Sequence, residues 1–225
     1  MRHAIVTGAS GNLGPIWCEL LEKDGYAVHE FDLPINDVTD IKSIVAFKKM
    51  LSSYGIVPDL IVNNAGIDIP PGAKAGFWDE TARIFNVNLI GSANMTRVFL
   101  PGMIANGGGN IVFIGSMLGF VASDYRNYPE GFDKNWAYGA SKAGLWKLCK
   151  DLIVRFSNKG MVFNMLALSG VEGKQSEEFK KKYTAKIPIG RMLRRDDFEN
   201  EFLCCVKAKV PYDQPLFVGG GYTIW

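Results

Sequence analysis

The chain has 225 residues and a mass of 24.8 kDa, with 48% hydrophobic and 21% charged residues. That composition is ordinary for a globular protein and excludes a disordered chain, whose apolar content could not offset the entropy cost of ordering. With 25 Lys+Arg against 23 Asp+Glu the net charge is +2, too balanced to offer a field to nucleic acid or an anionic membrane. The apolar runs are of strand length, far short of the ~20 residues that span a bilayer. Met1-Arg2-His3 leads directly into a short apolar strand, so no secretory leader is expected and the expected location is the cytoplasm. The four cysteines Cys18, Cys149, Cys204 and Cys205 lack metal-ligand spacing, and the only histidines are His3 and His29, so no metal site is expected. The cysteines read as buried free thiols in a reducing compartment, with Cys204-Cys205 filling the core at the end of a helix.

Strand-like runs alternate with helical patterns along the chain, which predicts parallel βαβ units in one sheet and one domain over residues 1–225. The first strand is expected at about Ala4 to Val6. Leu13, Ile16, Trp17, Leu20 and Leu21 then follow helical spacing until Gly25. A second strand covers Ala27 to Phe31. Asp40 is placed to cap a helix with the apolar stripe Ile41, Ile44, Val45 and Leu51. After a strand at Leu60 to Val62, a long helix spans about Asp79 to Ile104, with Gly91 and Pro101 as candidate breaks. The strand Ile111 to Ile114, an irregular stretch, a helix from about Tyr138 to Phe156, and strands at Val162 to Leu166 and Leu216 to Val218 complete the reading.

Thr7-Gly8-Ala9-Ser10-Gly11-Asn12-Leu13-Gly14 lies between the first strand and its helix. Glycines at such a turn let the backbone approach a pyrophosphate, and the helix N-terminus directs N–H groups and its positive dipole end at it. Asp32 ends the second strand, 18 residues past Gly14. An acid about 20 residues on binds the ribose hydroxyls of NAD and repels the 2′-phosphate of NADP. No Arg or Lys stands at 12, 33 or 34 to hold that phosphate, so the expected cofactor is NAD, with NADP less favoured.

Tyr138-Gly139-Ala140-Ser141-Lys142 places a phenol and an ammonium at i and i+4 on one helix face. A phenol titrates near ~10, and a neighbouring ammonium favours the phenolate, which makes Tyr138 a candidate general acid/base. Ser116, just past the strand Ile111 to Ile114, is placed to hydrogen-bond a substrate carbonyl. Asn88 could hold a water that connects Lys142 to solvent.

The chain resembles the short-chain dehydrogenase/reductases. The matching segments are the TGASGNLG turn, Asn63-Asn64-Ala65-Gly66, Asn88, Ser116, YGASK, Pro188-Ile189-Gly190-Arg191-Met192 and the Gly219-Gly220-Gly221-Tyr222-Thr223 ending. They run in family order over nearly the whole chain. The resemblance implies a Rossmann fold, a doubly wound parallel sheet in three α/β/α layers. It also implies hydride transfer between nicotinamide and an alcohol or ketone. In this resemblance Tyr138 is the proton donor/acceptor, Lys142 lowers its pKa and binds the nicotinamide ribose, Ser116 orients the carbonyl and Asn88 completes a proton relay. The implied cofactor contacts are Gly8, Ser10, Gly11, Asn12, Leu13, Gly14, Asp32, Asp37, Val38, Asn64, Ala65, Gly66, Gly170 and Val171, with Tyr138 and Lys142.

The chain departs from the family pattern at several places. Asn12 stands where the family's middle glycine falls, in a TGxxGxxG form more typical of relatives that act on nucleotide sugars. Only four residues separate Asp32 from Asp37-Val38-Thr39, too few for a parallel crossover. The usual third strand and the helix before it are therefore expected to be missing or reduced, leaving the adenine side open. Ser116 and Tyr138 lie 22 residues apart, and the added piece within Ser123 to Trp136 is a substrate-shaping loop or a surface elaboration. Ser169-Gly170 replaces an expected Pro-Gly.

A substrate lid is expected at about 171–195. Its basic residues Lys180, Lys181, Lys182, Lys186, Arg191, Arg194 and Arg195 either face an anionic substrate or form a solvated surface balanced by Glu177, Glu178, Asp196 and Asp197, the second being favoured. The segment Val171-Glu172-Gly173 and the C-terminal residues from Gly221 resemble bacterial members linked to flagellin or surface-glycan modification, which brings a carbohydrate derivative into view as substrate. A noncatalytic dinucleotide-binding or sensor protein and a sugar epimerase or dehydratase are the alternatives. Leu145, Trp146, Leu148, Cys149 and Leu152 on the last long helix exceed one sheet-facing stripe, so that helix and the one at 79–104 are expected to pair subunits in a homodimer or homotetramer.

Overall fold

A computed structural model describes residues 1–68 and 76–224. The elements run β1 (Arg2–Thr7), α1 (Gly14–Lys23), β2 (Tyr26–Phe31), α2 (Ile41–Ser53), β3 (Leu60–Asn63), α3 (Phe77–Phe85), a π-helical turn (Asn86–Gly91), α4 (Ser92–Ala105), β4 (Gly109–Ser116), α5 (Ala137–Phe156), β5 (Met161–Leu168), α6 (Glu177–Thr184), α7 (Glu199–Lys207) and β6 (Leu216–Val218). Among the described residues the six strands form one parallel sheet in the order β2-β1-β3-β4-β5-β6. Residues 32–40 pass in turns from β2 to α2, so the strand and helix missing from the sequence pattern are missing from the fold.

Alternation along the strands builds a core on each face of the sheet. Ala4, Val6, Leu60, Val62, Val112 and Ile114 meet Trp17 and Leu21 of α1 and Phe202 and Cys205 of α7. Ile5, Ile61, Ile111, Phe113, Phe163 and Met165 face α2, α4 and α5 through Ile44, Phe99 and Cys149. The sheet is thus the middle layer of three. Trp17 stacks on Phe202 with ring centroids 4.3 Å apart, and its indole N–H donates to Asn64 Oδ1 at 2.9 Å. That bond ties the core of one face to the loop above β3.

Asp40 caps α2 by accepting from the Lys42 N–H at 2.8 Å. The long helix begins at Phe77, passes through the π turn that ends at Gly91, and continues through Pro101 to Ala105. Of the two candidate breaks, only Gly91 marks one. One packing expectation is corrected. Cys205 is buried but Cys204 is exposed, because adjacent residues on a helix point in different directions. On α5, Leu145, Trp146 and Cys149 are buried within the chain, whereas Leu148 and Leu152 are only partly buried. No helix among the described residues is long and apolar enough to cross a membrane.

Candidate active site

The carboxyl ends of the strands open into a cavity of about 1700 Å³. In an open α/β sheet this edge, outside the strand ends, is where ligands bind.

The glycine turn forms one wall. Gly8 has φ +63°, and a Cβ there would lie 2.8 Å from Ala65 Cα. A Cβ on Gly14 would lie 2.3 Å from the carbonyl oxygens of Gly8 and Ala9. The turn therefore closes onto its own helix only with glycine at both places. Thr7 Oγ1 accepts from the N–H groups of Asn64 and Ala65 at 3.0 and 2.9 Å. The Asn64 amide donates to the carbonyls of Thr7 and Gly8, both at 2.9 Å. Asn64 thus braces the turn with its side chain and offers the cavity its other atoms. No side chain caps α1, whose N-terminus lies at the turn.

Asp32 is already organised as an acceptor. Its Oδ2 takes the Ser10 N–H at 2.7 Å and the Ser10 hydroxyl at 2.6 Å, and its Oδ1 takes the Leu33 N–H at 2.8 Å. Gly8, Ser10, Gly11, Asn12, Leu13, Asp32, Asp37, Val38, Asn64, Ala65, Gly66, Gly170 and Val171 all line the cavity. Gly14 stands behind the turn in its packing role. A backbone cradle, a helix N-terminus and a carboxylate beyond it fit a dinucleotide.

The candidate catalytic side chains lie in the same cavity. Ser116 ends β4, and Tyr138 and Lys142 lie on the first turns of α5. Lys142 is buried; its Nζ donates to the Ile114 carbonyl at 2.8 Å and lies 5.9 Å from the centre of the Tyr138 ring. Burial pushes the Lys142 ammonium down to about 8, against the opposing pull of Asp68. Burial, reinforced by Asp68, pushes the Tyr138 phenol up to about 12, while a hydrogen bond with Ser116 acts in the other direction. The phenol is thus raised, because desolvation and the Asp68 carboxylate outweigh the Ser116 hydrogen bond.

Asn88 lies just behind the cavity wall. It is fully buried in the π turn and does not line the cavity. Its Oδ1 accepts the Ile67 N–H at 2.8 Å, and its Nδ2 donates to the Ile67 carbonyl at 3.0 Å and to Ser141 Oγ at 3.1 Å. The side chain clamps the backbone after β3. A Cβ built on Gly66 would lie 3.4 Å from Lys142 Nζ and 3.5 Å from Asn88 Oδ1, so both groups face that glycine.

Residues 123–136 form the opposite wall through Ser123, Asp124, Asn127, Tyr128, Phe132 and Lys134. They interlock with the 171–195 segment. Lys186 is ion-paired with Asp124 and donates to Asn127 Oδ1 at 3.1 Å, and the Tyr128 and Phe179 rings lie 5.5 Å apart. Several basic residues of that segment are paired locally: Lys180 with Glu177, Lys182 with Glu178 and Arg191 with Asp197. Arg194 and Arg195 of the same segment line the cavity and are paired with Glu172 and with Glu19 and Glu199.

Sequence reasoning missed Lys134 and Asp68. Lys134 is only 4% exposed and is paired with Asp68 at 2.5 Å. The available signals were spacing alone: Lys134 is one helical turn before Tyr138, and Asp68 is two residues past Gly66. Among the described residues no group of His, Cys, Asp and Glu is placed to hold a metal ion.

This sheet, turn and cavity define a nucleotide-binding oxidoreductase of the Rossmann type. The sequence model of the family described as short chain dehydrogenase matches residues 29–184, and the chain belongs to that family. It is accordingly an NAD(P)-dependent oxidoreductase acting on CH–OH or keto groups. It is 27% identical to the 3-oxoacyl-(acyl-carrier-protein) reductase FabG of Staphylococcus aureus, over 98% of this chain and 97% of that protein. A short chain dehydrogenase of Leptospira borgpetersenii with bound NAD+ superposes with a TM-score of 0.88 at 24% identity, covering 99% of this chain and 93% of the other. A gluconate 5-dehydrogenase of Burkholderia cenocepacia in complex with NADP and tartrate gives 0.79 at 20% identity, covering 100% and 96%.

Proposed function

We propose that the chain interconverts a secondary alcohol and a ketone on a small carbohydrate derivative, using NAD(H), with Tyr138, Lys142, Ser116 and Asn88 as its working set. The observation that carries this reading is the meeting of Ser116, Tyr138 and Lys142 in the cavity that the glycine turn also lines. The bound cofactor supplies hydride exchange; the protein supplies orientation and proton handling. A phenol raised to about 12 keeps its proton at neutral pH, so Tyr138 is poised to donate it to a developing alkoxide, the direction of ketone reduction. Ser116 holds the substrate oxygen beside that proton. Lys142, fixed on the Ile114 carbonyl, keeps a positive charge under the ring below pH about 8 and is placed to hold a ribose hydroxyl. Asn88 fixes the backbone at Ile67.

Asp32 supports NAD over NADP, because its carboxylate occupies the region where a 2′-phosphate would sit and no basic residue follows it at 33 or 34. A carbohydrate derivative is supported by the substrate wall, where Asp68, Lys134 and Asn127 offer hydroxyl partners beside the aromatic faces of Tyr128, Phe132 and Phe179. The 171–195 segment forms the lid over that wall. The test is a panel of keto sugars, hydroxy acids, apolar ketones and acyl thioesters followed at the NADH absorbance band, with NADPH in parallel. Turnover of a polyhydroxylated ketone, faster with NADH, is expected. Turnover confined to acyl thioesters or to apolar ketones would overturn the substrate class, and preference for NADPH would overturn the cofactor.

A further inference from the structure

A third, small core lies apart from the two on the sheet. Met117, Tyr183, Ile187 and Met192 are buried together, with Phe179 and Tyr222 packed against them. It joins three parts of the substrate end: the chain just past Ser116, the 171–195 segment and the C-terminal residues. Tyr183 of α6 is only 3% exposed. Its ring stacks on both Phe179 and Tyr222, with centroids 5.5 and 5.0 Å away. Its hydroxyl accepts the Gly170 N–H at 2.6 Å and lies 3.7 Å from Met117 Sδ. The Ser169 side chain approaches the same hydroxyl. A Cβ built on Gly170 would lie 2.8 Å from both the Tyr183 oxygen and the ring carbon that carries it, so a contact this close requires glycine there. The Gly170 carbonyl in turn accepts the Leu193 N–H at 3.0 Å, and the Leu193 carbonyl accepts the Glu172 N–H at 2.8 Å. Both polar groups of Gly170 are therefore held by the 171–195 segment, one from α6 and one from Leu193.

The Leu193 bonds join main chain to main chain and survive exchange of the side chains. The Tyr183 bond depends on one side-chain atom. A phenylalanine would fill this core and stack on the same neighbours, so packing alone does not account for the oxygen. Its two contacts do: Gly170 and Met117 both line the cavity, Gly170 among the expected cofactor contacts and Met117 next to Ser116 in the chain. We propose that Tyr183 is a positioning residue, a latch that holds the 171–195 lid in a fixed place against both the strand-end loop at Gly170 and the chain beside Ser116. It thereby sets the distance and angle at which the substrate carbon meets the cofactor. This rests on the reading that Ser116 and Tyr138 mark the reacting end of the cavity. A reactant displaced by about 1 Å can lose up to ~10²-fold in rate, so a latch that fixes two walls at once acts on the chemical step more than on binding.

Tyr183→Phe tests this, because it removes the oxygen and keeps the ring stack that the fold uses. In the free protein, hydrogen exchange followed by NMR should show the Gly170 amide exchanging several-fold faster, as expected for a lost hydrogen bond. In steady-state kinetics kcat should fall roughly tenfold or more, while KM and the NADH dissociation constant stay within about threefold, the pattern of an interaction that matters in the transition state. Tyr183→Leu, which also removes the ring, should lose the same rate and in addition melt lower. A merely structural role predicts the opposite division: Tyr183→Phe unchanged in kcat, and only Tyr183→Leu melting lower. A kcat for Tyr183→Phe within about twofold of the unsubstituted protein, short of the loss a misplaced reactant brings, would overturn the inference, and so would an unchanged Gly170 exchange rate. The kinetics use whichever member of the ketone panel is turned over, so a wrong substrate class leaves this test intact. Retention of turnover by Tyr138→Phe is a separate result that removes the catalytic reading, while the Gly170 exchange still measures the latch.

Discussion

The nucleotide end of the cavity is made mainly of backbone, and the substrate end mainly of side chains. At the first, Gly8, Gly14 and the Thr7 and Asn64 hydrogen bonds hold main-chain groups in place, and the walls rise from β1, β2 and β3. At the second, the 123–136 and 171–195 segments meet through Lys186 with Asp124, Tyr128 with Phe179, and Asn127 with Tyr222. Backbone recognition suits a ligand that every relative shares, because it survives exchange of almost any side chain. Walls of side chains on loops suit a substrate that differs between relatives, because they change without disturbing the sheet. Tyr138 and Lys142 stand at the seam, on a helix that belongs to both ends.

The comparison is broken first at the seam. Tyr138→Phe removes a proton and almost no contact area, so turnover should fall by ~10²–10⁴ while NADH binding, measured by fluorescence titration, stays within a few-fold. Retention of more than about a tenth of the rate would show that the two ends do not meet at Tyr138.

Lys142→Met separates function from stability. The folded-state value of about 8 lies below the ordinary 10.5. Between those values the unfolded chain binds more protons, so the Lys142 contribution to stability rises with pH. At pH 7 the buried charge costs on the order of 3 kcal/mol. The variant should therefore turn over poorly yet melt a few degrees higher at pH 7, by calorimetry. The gap should close as pH approaches 10, and a variant that melts lower throughout would contradict this account.

Asp32→Ala sharpens the contrast at the nucleotide end, where one side chain intrudes among backbone donors. It removes the ribose acceptor and the charge that opposes a 2′-phosphate. The ratio of NADPH to NADH dissociation constants should fall by about tenfold, in line with losing one hydrogen bond to a charged group. An unchanged ratio in calorimetry would place cofactor choice elsewhere.

Much of this architecture was legible because its causes are local. The apolar runs of β1, β4 and β5, the Leu13 to Leu21 spacing and the Asp40 cap are each decided within a few residues, and the structure repeats them. The short step from Asp32 to Asp37 made the absent strand readable by length alone. The misreadings concern burial and partners distant in sequence. Cys204 looks like core filling until the direction of α7 leaves it exposed beside buried Cys205. The raised Tyr138 phenol depends on burial, which the Tyr-Lys spacing does not report. Lys134 was hidden for the same reason: its partner Asp68 lies 66 residues away, in a segment without periodicity.

The π turn at Asn86–Gly91 turns residue count into a constraint on this chain's history. Such a turn carries one residue more than an α-helical turn, and each residue of a helix advances the direction of the next by about 100°. Deleting a single residue there would restore a regular helix and swing Asn88 off the Ile67 peptide, with α3 and everything it supports displaced around the axis.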